Sequence, residues 1–238
     1  MTLPLVISEK KCKFKEKVQA RLPEGGNLDR CYTCGTCVSG CPAARLRGMD
    51  PRKLLRMVLL GLDEEVGNNP WVWMCTMCAR CEINCPMGIK ISDLVRQARS
   101  ERDREEIPGI LQQGLEMALS TGNNLGLPRA DFIFILEDVG EELAEEPGFE
   151  DFTVPIDEEG ANILITIHNK LVNTQNEDLK HWWKIFHAAG EKWTIPSDEW
   201  EGTSWGFFTG DEQAVKTMTG RIVDQMDGLK VGKLLYPE

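Results

Sequence analysis

Apolar positions recur at helical spacing through the first half of the chain. Leu54, Leu55, Val58, Leu59 and Leu62 stand three and four residues apart, Asp50 is placed to cap them, and Pro51 suits a first helical position. The spacing predicts a helix from residue 51, closed by Gly61 or Gly67. Ser92 is placed to cap a second helix running towards Glu106, which Pro108 stops. A third is predicted over 109–120, ending at Gly122-Asn123, a left-handed C-cap pair. After residue 160 the rhythm changes. Asn162–His168 (NILITIH) reads as a buried strand, and Glu177–Ala189 as a helix with Leu179, Trp182, Trp183, Phe186 and Ala189 on one face, ended by Gly190. Lys192–Ile195 suits a short strand, Glu212–Met226 a helix and Lys230–Tyr236 a further strand. Strands alternating with helices predict a small parallel α/β layer, with Trp182 and Trp183 as core aromatics.

Charge divides the chain further. Lys10, Lys11, Lys13, Lys15, Lys17 and Arg21 face a single Glu16, which makes residues 1–27 a basic N-terminal arm. Such an arm is either a solvated terminus or a docking element for an acidic partner or anionic lipid heads. Residues 137–159 carry eleven acidic side chains and no basic one, punctuated by Pro147, Gly148 and Pro155, so 137–160 reads as an interdomain linker. The formal net charge of −11 over 238 residues argues against a nucleic-acid partner. The longest uncharged apolar stretch, Met57 to Leu62, is far too short to span a bilayer, so a soluble or peripheral protein is expected.

The chemistry lies in the cysteines. Eight of the nine form two identical arrays, Cys31-x2-Cys34-x2-Cys37-x3-Cys41-Pro42 and Cys75-x2-Cys78-x2-Cys81-x3-Cys85-Pro86. This is the ligand run of a protein with two [4Fe–4S] clusters, in which the fourth cysteine of each run crosses to the other cluster. Cys31, Cys34, Cys37 and Cys85 are therefore assigned to one cluster, and Cys75, Cys78, Cys81 and Cys41 to the other. Zinc sites pair two C-x2-C knuckles across a longer stretch, a looser pattern than four cysteines within eleven positions. The first residues show no secretory leader, so reduced thiolates in a cytoplasmic setting are expected rather than disulfides. Cys12 stands outside both arrays as a lone thiol. With helices between and after the arrays, residues 28–136 read as an α-helical ferredoxin domain with two [4Fe–4S] sites, and 161–238 as a small α/β domain. Arg45, Arg47, Arg52, Lys53 and Arg56 either soften the clusters' negative charge or form a solvated helix face. Trp71, Trp73, Met74 and Met77 are placed to shield the second array from water. His168, His181 and His187 read as structural. Nucleotide-binding glycine loops and G-x-S-x-G are missing from the sequence.

The segments CYTCGTCVSGCPAARL and WMCTMCARCEINCPMGI, with the helix between them, resemble the C subunit of heterodisulfide reductase and the iron–sulfur half of related fused oxidoreductases. Thr121–Phe132 (TGNNLGLPRADF) resembles the Gly-Asn-x-x-Gly segment that joins such a domain to a cysteine-rich CCG domain. The resemblance implies an electron relay in anaerobic metabolism. Its donor would be a flavoprotein or a quinone-linked subunit and its acceptor a CCG-type or other catalytic subunit, with attachment to the inner face of the membrane through partners. Residues 161–238 keep the order of CCG elements without their cysteines. His168-Asn169 stands where the first would fall and Glu201–Gly206 where Cys-Cys-Gly would fall, and the chain reaches Tyr236-Pro237-Glu238 before the last pair. No catalytic residue is assigned, and this module is expected to dock rather than to catalyse. The alternative is an oxygen- or redox-responsive iron–sulfur sensor or scaffold.

The crossed ligand pattern predicts that Cys34→Ser damages the first cluster and Cys41→Ser the second. EPR of the two variants checks this; loss of the same signal in both would sink the assignment.

Overall fold

A computed structural model describes residues 13–236. Lys10, Lys11, Cys12, Pro237 and Glu238 lie outside the described residues, as does the side chain of Arg47. The described residues form two compact units, one of residues 13–108 with 208–210 and one of 109–207 with 211–236.

The first unit opens with α1 (Lys13–Arg21), which buries Phe14 and Val18 in the core. Its cations are engaged at home: Lys15 pairs with Asp29 at 2.5 Å and Lys17 with Glu101 at 2.9 Å. From residue 13 the expected basic arm is therefore a docked helix. Two apolar residues four apart outweigh the charge around them, because lysine stems lie along the surface while their heads stay wet. A tight turn over Pro23–Arg30 leads into the first array and α2 (Thr36–Ser39). Then come α3 (Pro51–Leu59), capped by Asp50 Oδ1 accepting from Lys53 N at 3.0 Å, and α4 (Asp63–Gly67). A second tight turn, Pro70–Met74, precedes the second array, α5 (Arg80–Ile83) and α6 (Ile91–Ser100).

Ser92 does not cap α6. Both its amide (2.8 Å) and its hydroxyl donate to the Glu82 carboxylate of α5. The helix also stops at Ser100, and only a short 3₁₀ turn, Arg104–Glu106, follows before Pro108.

The two halves of this unit are a structural repeat. Equivalent cysteines stand 44 residues apart. α3 packs on the turn before the first array, and α6 packs on the turn before the second. α2 and α5 meet where Gly40 faces Asn84, a pair of equivalent positions; a Cβ at Gly40 would overlap the Asn84 amide. A contact between equivalent residues is what a local two-fold axis produces.

The second unit begins with α7 (Gly109–Thr121), ended by Gly122 at φ 82°. Asn123, buried, ties the next turn by accepting from Leu127 N at 2.9 Å and donating to Leu127 O at 3.0 Å. α8 (Arg129–Ala144) follows, where the acidic stretch predicts a linker. Phe132, Leu136, Val139 and Leu143 are three and four apart and buried, and the carboxylates occupy the opposite face. Charge density drew attention from a helical period lying beneath it. β1 (Ile163–Ile165), α9 (Asn169–Asn173), α10 (Glu177–Ala189), β2 (Trp193–Thr194), α11 (Ser204–Thr209), α12 (Glu212–Gly228) and β3 (Lys233–Leu235) complete the chain. All three strands are parallel, in the order β2-β1-β3, with Ile163 in register with Trp193 and Lys233. Phe132 stacks on Trp200 with ring centroids 4.4 Å apart, and Trp183 packs on Trp193 and Phe152. Trp183 is core as expected, but its neighbour Trp182 is 41% exposed.

Gly114 of α7 has the ring of Trp205 where a Cβ would stand, whereas Gly220 of α12 faces open space. Gly114→Ala should therefore destabilise the protein by about 1–3 kcal/mol, and Gly220→Ala should stabilise it by roughly 0.4–1 kcal/mol. Denaturant unfolding followed by circular dichroism reads both, and a destabilised Gly220→Ala would contradict the geometry.

Candidate iron–sulfur centre

Each array is a C-x2-C-x2-C loop whose middle residues are forced into left-handed backbone. Thr33 (φ 65°) and Gly35 (φ 87°) in the first array correspond to Met77 (φ 56°) and Ala79 (φ 55°) in the second. Non-glycine residues adopt this conformation only when their surroundings demand it. Its effect is to turn backbone amides towards sulfur. Thr33 N donates to Cys31 Sγ at 3.4 Å, and the Met77 amide donates to Cys75. The Thr36 and Arg80 amides do the same for Cys34 and Cys78, and the Thr36 hydroxyl lies 3.3 Å from Cys34 Sγ. Amide donors stabilise sulfur in its anionic form, as a thiolate ligand requires.

The structure brings the eight cysteines into two groups. Cys41, Cys75, Cys78 and Cys81 line one small chamber together with Met49, Ile91 and Val95. Cys41 thus lies with three sulfurs of the other array. Cys37 feels the charges of Cys31, Cys85 and Cys34, the complementary four. A single tetrahedral metal ion would draw four sulfurs to about 2.3 Å from one point. Among the described residues, no three Cys, His, Asp or Glu side chains converge in that way. A chamber rimmed by four thiols, with amides aimed at sulfur, fits an iron–sulfur cluster.

The thiols differ in acidity. Burial pushes the Cys37 thiol up to about 11 and the Cys81 thiol up to about 12, with neighbouring sulfurs adding to both and Glu82 adding at Cys81. Burial also raises Cys75, against the Met77 amide and Arg99. Cys34 and Cys78 are exposed and lowered, Cys34 chiefly by the Thr36 hydroxyl and Cys78 chiefly by the Arg80 amide. Of the basic residues after the first array, Arg52 is the one that acts on Cys34. Trp71 is buried, and Trp73, Met74 and Met77 are partly buried against the same core as Cys75, Cys81 and Cys85. Sequence reading passed over Arg99. It follows Leu94, Val95 and Ala98 on the buried face of α6, a position where a cation is unusual.

In the second unit, the carboxyl end of β1 leads to His168, whose Nδ1 accepts from Lys170 N at 3.1 Å and caps α9. Asn124, with its amide nitrogen turned to Glu201 Oε1 at 2.8 Å, accepts from Asn169 Nδ2 at 2.9 Å. One residue from each of the segments compared with CCG cysteines, Asn169 and Glu201, thus meets Asn124 in a hydrogen-bonded polar cluster. The sequence has no cysteine after residue 85.

These features define the first unit as an iron–sulfur domain, and comparison with known proteins agrees. Residues 27–89 match the 4Fe-4S dicluster domain family. The chain is 40% identical over 88 residues to the C subunit of the H(2):CoB-CoM heterodisulfide,ferredoxin reductase of Methanothermobacter marburgensis, covering 37% of this chain and 46% of that one. It is 42% identical over 74 residues to the iron-sulfur C subunit of the CoB–CoM heterodisulfide reductase of Methanopyrus kandleri, covering 31% and 38%. It is 33% identical over 131 residues to the C subunit of the ferredoxin:CoB-CoM heterodisulfide reductase of Methanosarcina acetivorans, covering 52% and 51%. The chain spans about half the length, or less, of these curated relatives. In the matched region it is an iron–sulfur protein like the C subunit of heterodisulfide reductase, with 4Fe–4S clusters, and the two-cluster count fits the dicluster domain. Among the described residues no helix is long and apolar enough to cross a membrane.

Thiolate is the reactive form of cysteine. In iron-free protein at pH 8, Cys34 and Cys78 should therefore be alkylated first, and Cys37 and Cys81 roughly 100-fold or more slower. Timed iodoacetamide quenching with peptide mapping measures this, and uniform rates would contradict it.

Proposed function

We propose that this chain is the iron–sulfur electron-transfer subunit of a heterodisulfide-reductase-like complex, relaying single electrons between a flavin- or quinone-linked donor and a partner catalytic subunit. The clusters, when bound, supply the one-electron chemistry. Cys31, Cys34, Cys37 and Cys85 hold one, and Cys75, Cys78, Cys81 and Cys41 the other. The observation that carries this reading is the chamber in which Cys41 joins three cysteines of the opposite array. Crossed ligation keeps the two sites adjacent, as a relay demands.

The protein's own residues do three things in this scheme. The left-handed loops aim amides at sulfur, the apolar residues around the second chamber exclude water, and each array leaves one cysteine at the surface. Cys34 and Cys78 are exposed, so each site has its own edge open to a partner. Exposed apolar residues accompany them, Tyr32 and Leu46 along the first array and Ile83 in the second. Isolated exposed apolar residues are ordinary, but at the two open edges of a relay they suit transient partner contact. The second unit, with its parallel β2-β1-β3 sheet and a polar cluster in place of thiols, is read as a CCG-like module kept for docking.

The test is an EPR-monitored redox titration of anaerobically purified protein, with iron and acid-labile sulfide measured on the same sample. About eight iron atoms per chain and two reversibly reducible, magnetically coupled cubanes are expected. Zinc in place of iron, or clusters that cannot be cycled, would overturn the relay.

A further inference from the structure

One buried cation has no role in the relay so far. Arg99 is 2% exposed. Its Nε and one Nη donate to Val72 O at 3.2 and 2.8 Å, and the same Nη reaches Cys75 O at 2.5 Å. The other Nη donates to Phe208 O, in the 208–210 segment of the same unit, at 2.8 Å. The Trp73 ring lies 5.1 Å from the guanidinium carbon. Every one of these partners is neutral, and among the described residues no carboxylate pairs with Arg99. The anionic group whose field reaches it is the Cys75 sulfur. A buried cation without a counter-charge is costly, so the second array's thiolates and what they bind supply the balance.

The internal repeat shows that this is an asymmetry. Arg99 grips the carbonyls of Val72 and Cys75, whose equivalents 44 residues earlier are Leu28 and Cys31. The helix in the corresponding place, α3, buries Pro51, Leu54, Leu55, Met57 and Val58 and no cation. The other charges near the sulfurs are weaker in effect. Arg52 near Cys34 and Arg80 near Cys78 reach solvent, where water and salt screen them. Each site also has one anion, Asp50 near Cys37 and Glu82 near Cys81; the Glu82 side chain is the more buried, 11% exposed against 27%, and it is held by Lys90 and Ser92.

We propose that Arg99 is a tuning and positioning residue that makes the cluster on Cys75, Cys78, Cys81 and Cys41 the first of the two to accept an electron. The inference rests on the crossed-ligand relay reading. Reduction adds one electron to that site; no bond forms or breaks, and Arg99 keeps its proton and its charge. A fixed positive charge in a medium that screens poorly favours the extra negative charge. The electron comes from the donor partner in the relay and from dithionite in the test. Electrons entering at the Cys34 edge then run on to the Cys78 edge.

The experiment is a dithionite titration followed by EPR on full-length wild type, Arg99→Gln, Arg99→Lys and the exposed control Arg104→Gln, each with its iron content. Cys34→Ser and Cys78→Ser assign each signal to its site. Arg99→Gln should make the second site at least tenfold harder to reduce, a downward shift of about 59 mV or more for a one-electron couple, with the first site unchanged. Arg99→Lys should restore most of the shift, and Arg104→Gln should leave both sites near wild type. Two cubanes with unmoved, or equally moved, midpoints in Arg99→Gln would overturn the role of Arg99 while leaving the relay intact. Should Arg99→Gln lose its iron, the order of reduction in the single-site variants decides. The second site reducing after the first overturns the proposal. Failure of wild type to hold two cyclable cubanes counts against the relay reading itself.

Discussion

Sulfur anions must be held out of water without collapsing onto one another, and the first unit is organised by that demand. Burial alone drives Cys37 and Cys81 towards the neutral thiol, far from the thiolate a cluster needs. The compensation is local and repeated. Left-handed residues at equivalent positions of the two arrays, Thr33 with Met77 and Gly35 with Ala79, aim amides at Cys31, Cys34, Cys75 and Cys78. Iron supplies the remaining positive charge, so cluster binding and the stability of this unit are linked.

The repeat is also what brings cysteines of opposite arrays together. α2 and α5 approach so closely at Gly40 and Asn84 that the cysteine after each, Cys41 and Cys85, is delivered to the neighbouring loop. Two-fold similarity makes the two sites alike in ligation and leaves their differences to single side chains. Arg99 is the most deeply buried charged residue among those differences. A relay between two identical sites would have no preferred resting place for its electron, and one buried cation is enough to create a preference.

The second unit rests on different physics. Its core is aromatic, with Phe132 on Trp200 and Trp183 between Trp193 and Phe152. Stacking of this kind holds a small three-stranded sheet that would be marginal by itself. Where thiols would give chemistry, Asn124, Asn169 and Glu201 give a closed hydrogen-bond cluster. Such a cluster ties the loop after α7 to residues 169 and 201 without offering a thiolate.

Much of this was legible in the residues. The kind of cofactor followed from spacing, since four cysteines within eleven positions admit few chemistries. The helices at 51, 109, 177 and 212 followed from caps and apolar period, and the parallel layer from alternation. Other features were not legible. α8 lay hidden beneath carboxylates, the basic arm concealed the docking pair Phe14 and Val18, and the cap of α6 came from Glu82, ten residues before Ser92. The sequence by itself determined which atoms can bind iron, because a thiol's chemistry and its spacing are local properties. Tertiary structure alone decided that Arg99 is sealed against the Cys75 carbonyl, because proximity between distant residues and the loss of water are properties of the packed chain.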